Sequence, residues 1–71
     1  MLEALQKKYE AEVAMAEANI NVYLKNPAGI GEHPEIVEAV DKQIEKLSTA
    51  QEKLDTVIRL LKQSLELKLP L

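Results

Sequence analysis

The residues best suited to chemistry lie mid-chain, where the only histidine, His33, follows Glu32 and precedes Glu35 by two positions. An imidazole and carboxylates can together bind a divalent metal ion. The same residues also suit the entry to a helix, because acidic side chains complement the helix dipole there. One histidine with flexible glutamates is a small ligand set, so a metal-binding bundle centred on His33 ranks last among the functions that the sequence suggests. No cofactor is predicted.

A glycine pair, Gly29 and Gly31, precedes these residues and invites comparison with phosphate-binding loops. Such loops follow a strand and end in Gly-Lys followed by Ser or Thr, and their backbone amides bind the anion at a helix N-terminus. This segment has no such ending, and Glu32 would repel an anion. The sequence therefore predicts a turn here and not a nucleotide site.

Catalytic acid–base chemistry needs carboxylates held in a cleft. The acidic residues of this chain instead fall on polar helix faces, and pairs such as Glu38 with Lys42 have the i,i+4 spacing of solvated helix pairs. The Glu-x-x-His sequence of carboxylate-bridged metal bundles is absent. We therefore expect no enzyme activity.

Composition limits the fold and the partners. The chain has 71 residues, no cysteine, phenylalanine or tryptophan, two tyrosines and a net charge of −3. Disulfides and thiolate metal sites are excluded, and a core of Leu, Ile, Val and Ala favours packed helices in one domain. The mixed, slightly acidic charge argues against nucleic acid as a partner, and the short apolar runs argue against a membrane span. A cytoplasmic location is the default expectation.

Two helices and one turn account for nearly the whole sequence. Helix 1 is predicted over about 2–25, with an apolar stripe that is nearly straight. Residues 26–33 form the predicted turn, helix 2 extends over about 34–66, and an apolar tail reaches 71. The turn residues are Pro27, Gly29, Ile30, Gly31 and Pro34: the glycines supply positive φ, Ile30 covers the end of the hairpin, and Pro34 occupies the first position of helix 2.

A heptad pattern runs through helix 2 and predicts a seam that a partner helix must cover. Its members are Val37, Val40, Ile44, Leu47, Gln51, Leu54, Ile58, Leu61 and Leu65. The short turn makes helix 1 the antiparallel partner. Folding about Ile30 brings Tyr9 near Gln51, where hydroxyl and amide can form a hydrogen bond. Alternatively, Gln51 lies at the edge of the seam and meets water.

A second apolar surface predicts that the hairpin associates further. Helix 1 carries a second stripe (Ala4, Lys8, Ala11, Met15, Ala18 and Val22), helix 2 widens its seam with Ile36, Ala50 and Val57, and leucines fill the end of helix 2 beyond helix 1. The predicted interface consists of Ala11, Met15, Ala18, Val22, Val57, Leu60, Leu61 and Leu65. The expected fold is all-α, an antiparallel two-helix hairpin assembling into a four-helix bundle or a larger homo-oligomer, with a symmetric dimer as the simplest closed form.

The last residues, 65–71, alternate apolar and polar side chains, which is a strand pattern. Three states are compatible with it: a fraying helix end packed by leucines, a strand added to a partner, and disorder.

The segment 19–40, with its Asn-Pro-x-Gly-Ile-Gly-Glu-His-Pro turn, resembles small uncharacterised helical-hairpin proteins of T4-like marine phages. The resemblance covers about a third of the chain, implies a short helical hairpin, and transfers no functional residue. The Ala-rich start and Leu-rich tail do not share in it. A natural hairpin whose surface was redesigned for self-association is a hypothesis compatible with this combination.

The sequence therefore favours a non-enzymatic, self-associating hairpin whose partner is another copy of the same chain. The main alternative is a small adaptor that offers its apolar groove to a helix of a different protein.

Overall fold

Two helices make up the fold. The computed structural model describes residues 1–25 and 33–67, in which α1 spans Leu2–Lys25 and α2 spans His33–Leu67. These ranges contain no strand, so the prediction of an all-α helical hairpin is confirmed. The predicted turn residues Pro27, Gly29, Ile30 and Gly31 lie outside the described residues, whereas Pro34 is the second residue of α2.

Helix α1 forms because its sequence is rich in Ala, Glu, Lys and Leu, which have high helix propensity. Its ends carry favourable charges: Glu3 lies in the first turn and Lys25 in the last, where each complements the helix dipole. The Leu5 amide donates to the Met1 carbonyl at 3.2 Å, which closes the first turn. The 24 residues of α1 span roughly 36 Å.

Helix α2 is longer, with 35 residues and a length of roughly 52 Å. It begins with Glu35 in its first turn and continues as helix through 65–67. Residues 68–71, the remainder of the predicted tail, are not among those described.

Two cross-helix contacts establish that the helices are antiparallel. Asn19 Nδ2 donates to Gln43 Oε1 at 3.2 Å, and Lys53 Nζ lies 5.6 Å from the centroid of the Tyr9 ring. Tyr9 therefore lies opposite Lys53. Folding about Ile30 had predicted Gln51, two positions earlier, as the residue opposite Tyr9. The predicted Tyr9–Gln51 hydrogen bond is wrong, because Gln51 is exposed and bonds to Asp55 instead.

The core of the hairpin is small. Its buried hydrophobic side chains are Ala16 and Ala50, each 3% exposed, Val57 at 5% and Leu54 at 9%. Two of the four are alanines, whose short side chains allow two helix backbones to approach closely.

Burial along α2 repeats every three or four residues and identifies the row that faces α1. That row consists of Ile36, Val40, Gln43, Leu47, Ala50, Leu54, Val57, Leu61 and Ser64. Only every second member of the predicted heptad seam belongs to it. Ala50 and Val57, which the sequence assigned to a widened margin, instead form the centre of the hairpin contact.

Candidate interaction surface

One side of the hairpin carries a groove between the helices. It has a volume of about 730 Å³, and the alanines Ala16 and Ala50 are among its lining residues. Its other lining residues are Glu12, Met15, Asn19, Lys42, Gln43, Glu45, Lys46 and Thr49, and most of the surface that lines the groove is apolar. The Asn19–Gln43 hydrogen bond crosses between the helices on this side. We call it the groove side.

The opposite side is apolar. Successive residues of an α-helix lie about 100° apart, so Ile20 and Ile44, which follow Asn19 and Gln43, point away from the groove side. Val13 and Gln51 follow the groove residues Glu12 and Ala50 by the same 100° step, so they too point away from the groove side. We call this side the open face; its residues are Val13, Ile20 and Leu24 of α1 and Val37, Ile44, Gln51, Ile58 and Leu65 of α2.

The open face holds most of the large apolar side chains that the hairpin leaves uncovered. Val37 is 67% exposed, Leu24 66%, Ile44 48%, Ile58 45% and Leu65 81%. A seven-residue step falls only about 20° short of two helical turns, so the α2 members stay on one flank of the helix. They form a row of four exposed apolar side chains, two on each side of Gln51, which scattered surface leucines or valines do not produce.

The interface residues predicted in α1 lie elsewhere. Met15 lines the groove and is 59% exposed, and Val22 is 60% exposed. Ala11 and Ala18 are exposed on the part of α1 that faces away from α2, towards the groove side of the hairpin. Four predicted interface residues are therefore accessible, but none of them borders the open face.

The interface residues predicted in α2 divide into three kinds. Val57 is buried within the hairpin, so its side chain is already covered. Leu60 and Leu61 are half-buried, and Leu65 is the most exposed member of the open face. Sequence reasoning assigned Val37, Ile44 and Ile58 to the hairpin seam. Two adjacent apolar rows on α2 indicate that this helix packs against two partners. The pattern alone does not identify which row packs against α1.

Gln51 is the one polar member of the α2 row. Its Nε2 donates to Asp55 Oδ1 at 3.0 Å. Ser48 lies beside this pair, on the flank of α2 that borders the open face, and shares a shallow polar depression with both residues. The midpoint of the open face thus has hydrogen-bonding groups, while both halves are apolar.

Neither a metal-binding cluster nor a membrane-spanning helix is found among the residues described. Within 1–25 and 33–67, no three His, Asp or Glu side chains come together as a metal site would require. Glu32, one of the two carboxylates in the candidate cluster around His33, lies outside those ranges. Neither α1 nor α2 combines the length and hydropathy needed to cross a bilayer.

No protein-family model matches the chain, and no curated protein or solved structure matches it either.

Proposed function

We propose that this protein is a non-enzymatic structural module that works by self-association, with a symmetric dimer of hairpins as the simplest assembly. The observation that supports the proposal is the open face. In the described residues the hairpin buries four hydrophobic side chains, while a row of larger ones stays 45–81% exposed.

The energetics favour covering this face. Fully burying a Val, Leu or Ile side chain is worth roughly 1.5–3 kcal/mol, so five half-exposed side chains on each of two copies contribute on the order of 10 kcal/mol. Association costs an estimated 4–15 kcal/mol in lost freedom, which is the same range. Burial of this face is therefore comparable in size to the cost of association. A lone hairpin of this length has little core of its own to hold it together.

Solution mass and helicity together test the proposal. We expect light scattering after size exclusion to give a multiple of the 8.0 kDa chain mass, with dissociation on dilution. Circular dichroism over the same concentrations should show helicity falling as the assembly dissociates. A well-folded monomer at every concentration would contradict self-association and would favour the alternative, in which the open face receives an amphipathic helix of another protein.

A further inference from the structure

The α2 row of the open face is symmetric about its polar midpoint. Ile44 and Ile58 each lie seven residues from Gln51, and Val37 and Leu65 each lie fourteen residues from it. A two-fold axis perpendicular to α2 at Gln51 would place Ile44 opposite Ile58 of a second copy. The same axis would place Val37 opposite Leu65, and the two glutamine amides would meet each other. Every apolar member would thus find an apolar partner.

Charges beside the row are arranged nearly symmetrically about Gln51. Asp41, ten residues before Gln51, and Lys62, eleven residues after it, are both exposed on the flank of α2 that borders the open face. Antiparallel pairing about Gln51 brings Asp41 of each copy near Lys62 of the other. Ser48 likewise meets Asp55. Parallel pairing would instead set Asp41 against Asp41, and like charges in contact oppose association.

The unequal helix lengths also select this arrangement. By the Tyr9–Lys53 contact, α1 begins at Leu2 roughly opposite Leu60, so Leu65 extends beyond the end of α1. An arrangement that lays α1 of one copy over α2 of the other leaves Leu65 without a covering helix. Antiparallel α2 helices cover Leu65 with Val37 of the second copy, whereas Leu24 lies beyond the end of the second copy's α1.

The molecule offers an area close to that of a stable interface. The Cα extents of the whole molecule, 53 Å and 14 Å, give a projected area of roughly 740 Å² for one complete side of the hairpin. Standard stable interfaces bury about 800 Å² per partner.

We propose that the open face is occupied by a second copy of this chain, with the two α2 helices antiparallel about a two-fold axis at Gln51. The hairpins then point in opposite directions in a four-helix bundle. This inference rests on the proposed function, and it adds the interface and the direction of the partner.

Spin-label distances test the geometry. The chain has no cysteine, so single labels can be placed at Glu52→Cys, beside the axis, and at Glu66→Cys, near the end of α2. Both residues are exposed. In the proposed dimer the labels at 52 lie within roughly 20 Å of each other, whereas those at 66 lie roughly 45 Å apart, because fifteen residues separate Glu66 from the axis on each side. Similar short distances for both pairs would overturn the antiparallel arrangement while leaving self-association intact.

Matched charge substitutions test the face itself. Ile44→Glu lies on the open face and Met15→Glu on the groove side, and the two native side chains are similarly exposed, at 48% and 59%. We expect Ile44→Glu to reduce the mass to that of one chain, and Met15→Glu to keep the wild-type mass. The reverse pattern would move the interface to the groove side. A monomeric wild-type chain, together with no dipolar coupling in either labelled variant, would instead remove the proposed function.

Discussion

Asn19 and Gln43 form the one side-chain hydrogen bond that links α1 to α2 among the residues described, with Asn19 Nδ2 donating to Gln43 Oε1 at 3.2 Å. Gln43 is half-buried and belongs to the row that faces α1, whereas Asn19 is exposed. The pair therefore lies at the margin of an apolar contact. A polar residue in such a row lowers stability and fixes the alignment of the two helices, as it does in coiled coils.

Gln43→Leu should accordingly stabilise the hairpin while weakening its alignment. The substitution exchanges one exposed hydrogen bond, worth about 0.5–1 kcal/mol, for additional apolar burial of about 1.5–2 kcal/mol, so we expect a net gain of roughly 1 kcal/mol. Urea denaturation followed by circular dichroism measures it. Asn19→Ala, the control, loses the bond and gains no burial, and should be neutral or slightly destabilising. A loss of stability in Gln43→Leu would show that the bond outweighs the burial.

Ala50→Leu should destabilise the hairpin, since Ala50 is 3% exposed in the row that faces α1, where a larger side chain must displace its neighbours. Overpacking of this kind costs about 1–3 kcal/mol. The neighbouring residue Thr49 is exposed, so Thr49→Leu provides a control within about 0.5 kcal/mol of the wild type. Equal melting temperatures for the two variants would mean that the helices separate at Ala50 without cost.

Tyr9 is flanked by two cations, with Lys8 Nζ at 5.9 Å and Lys53 Nζ at 5.6 Å from its ring centroid. Exposed cation–π contacts contribute about 0.5–1 kcal/mol. We expect Lys53→Gln to lower the unfolding free energy by about 0.5 kcal/mol, because Lys8 still faces the ring. Lys46→Gln, seven residues earlier on the same helix flank, should have no comparable effect. Thermal denaturation of the pair measures the difference, and equal losses would assign the effect to helix charge in general.

Exchanging Asp41 and Lys62 tests the proposed charge pairing between copies. Lys62→Asp alone places two acidic groups together at both ends of the dimer and should weaken association by about 0.2–1 kcal/mol for each pair lost. The double variant Asp41→Lys/Lys62→Asp restores opposite charges and should recover the wild-type dissociation constant. Sedimentation equilibrium at low salt is the measurement, because salt screens exposed pairs. If the double variant associated as weakly as the single one, the two residues would not meet.

The sequence was sufficient for the element types, because Pro27 and a glycine pair interrupt two long runs of strong helix formers. It was also sufficient for four of the nine members of the α2 contact row, namely Val40, Leu47, Leu54 and Leu61. It assigned Ile36, Ala50 and Val57 only to a widened margin of the seam, and it missed Gln43 and Ser64. Apolar periodicity gives most weight to large residues such as Ile44 and Ile58, whereas close approach of two helices favours small ones such as Ala50.

The alignment of the helices could not be predicted for a related reason. Folding about the middle of the turn gives an offset that is correct only to within a few residues. The actual offset depends on how Ala16, Ala50 and the polar groups of Asn19 and Gln43 fit together, and these are properties of shape that a hydrophobic pattern does not contain.

The antiparallel alignment also has a consequence for how the chain folds. Each contact along the hairpin encloses those nearer the connection, so Asn19 and Gln43 are closer in sequence than Tyr9 and Lys53. Closing a longer loop costs more conformational entropy, but each inner contact that forms first shortens the loop that the next contact must close. Zippering from the connection towards the termini is therefore the favoured route, and such local topologies fold in microseconds to milliseconds. The same gradient runs in reverse on opening, so amide hydrogens at Leu5 and Leu61 should exchange before those at Ile20 and Val40.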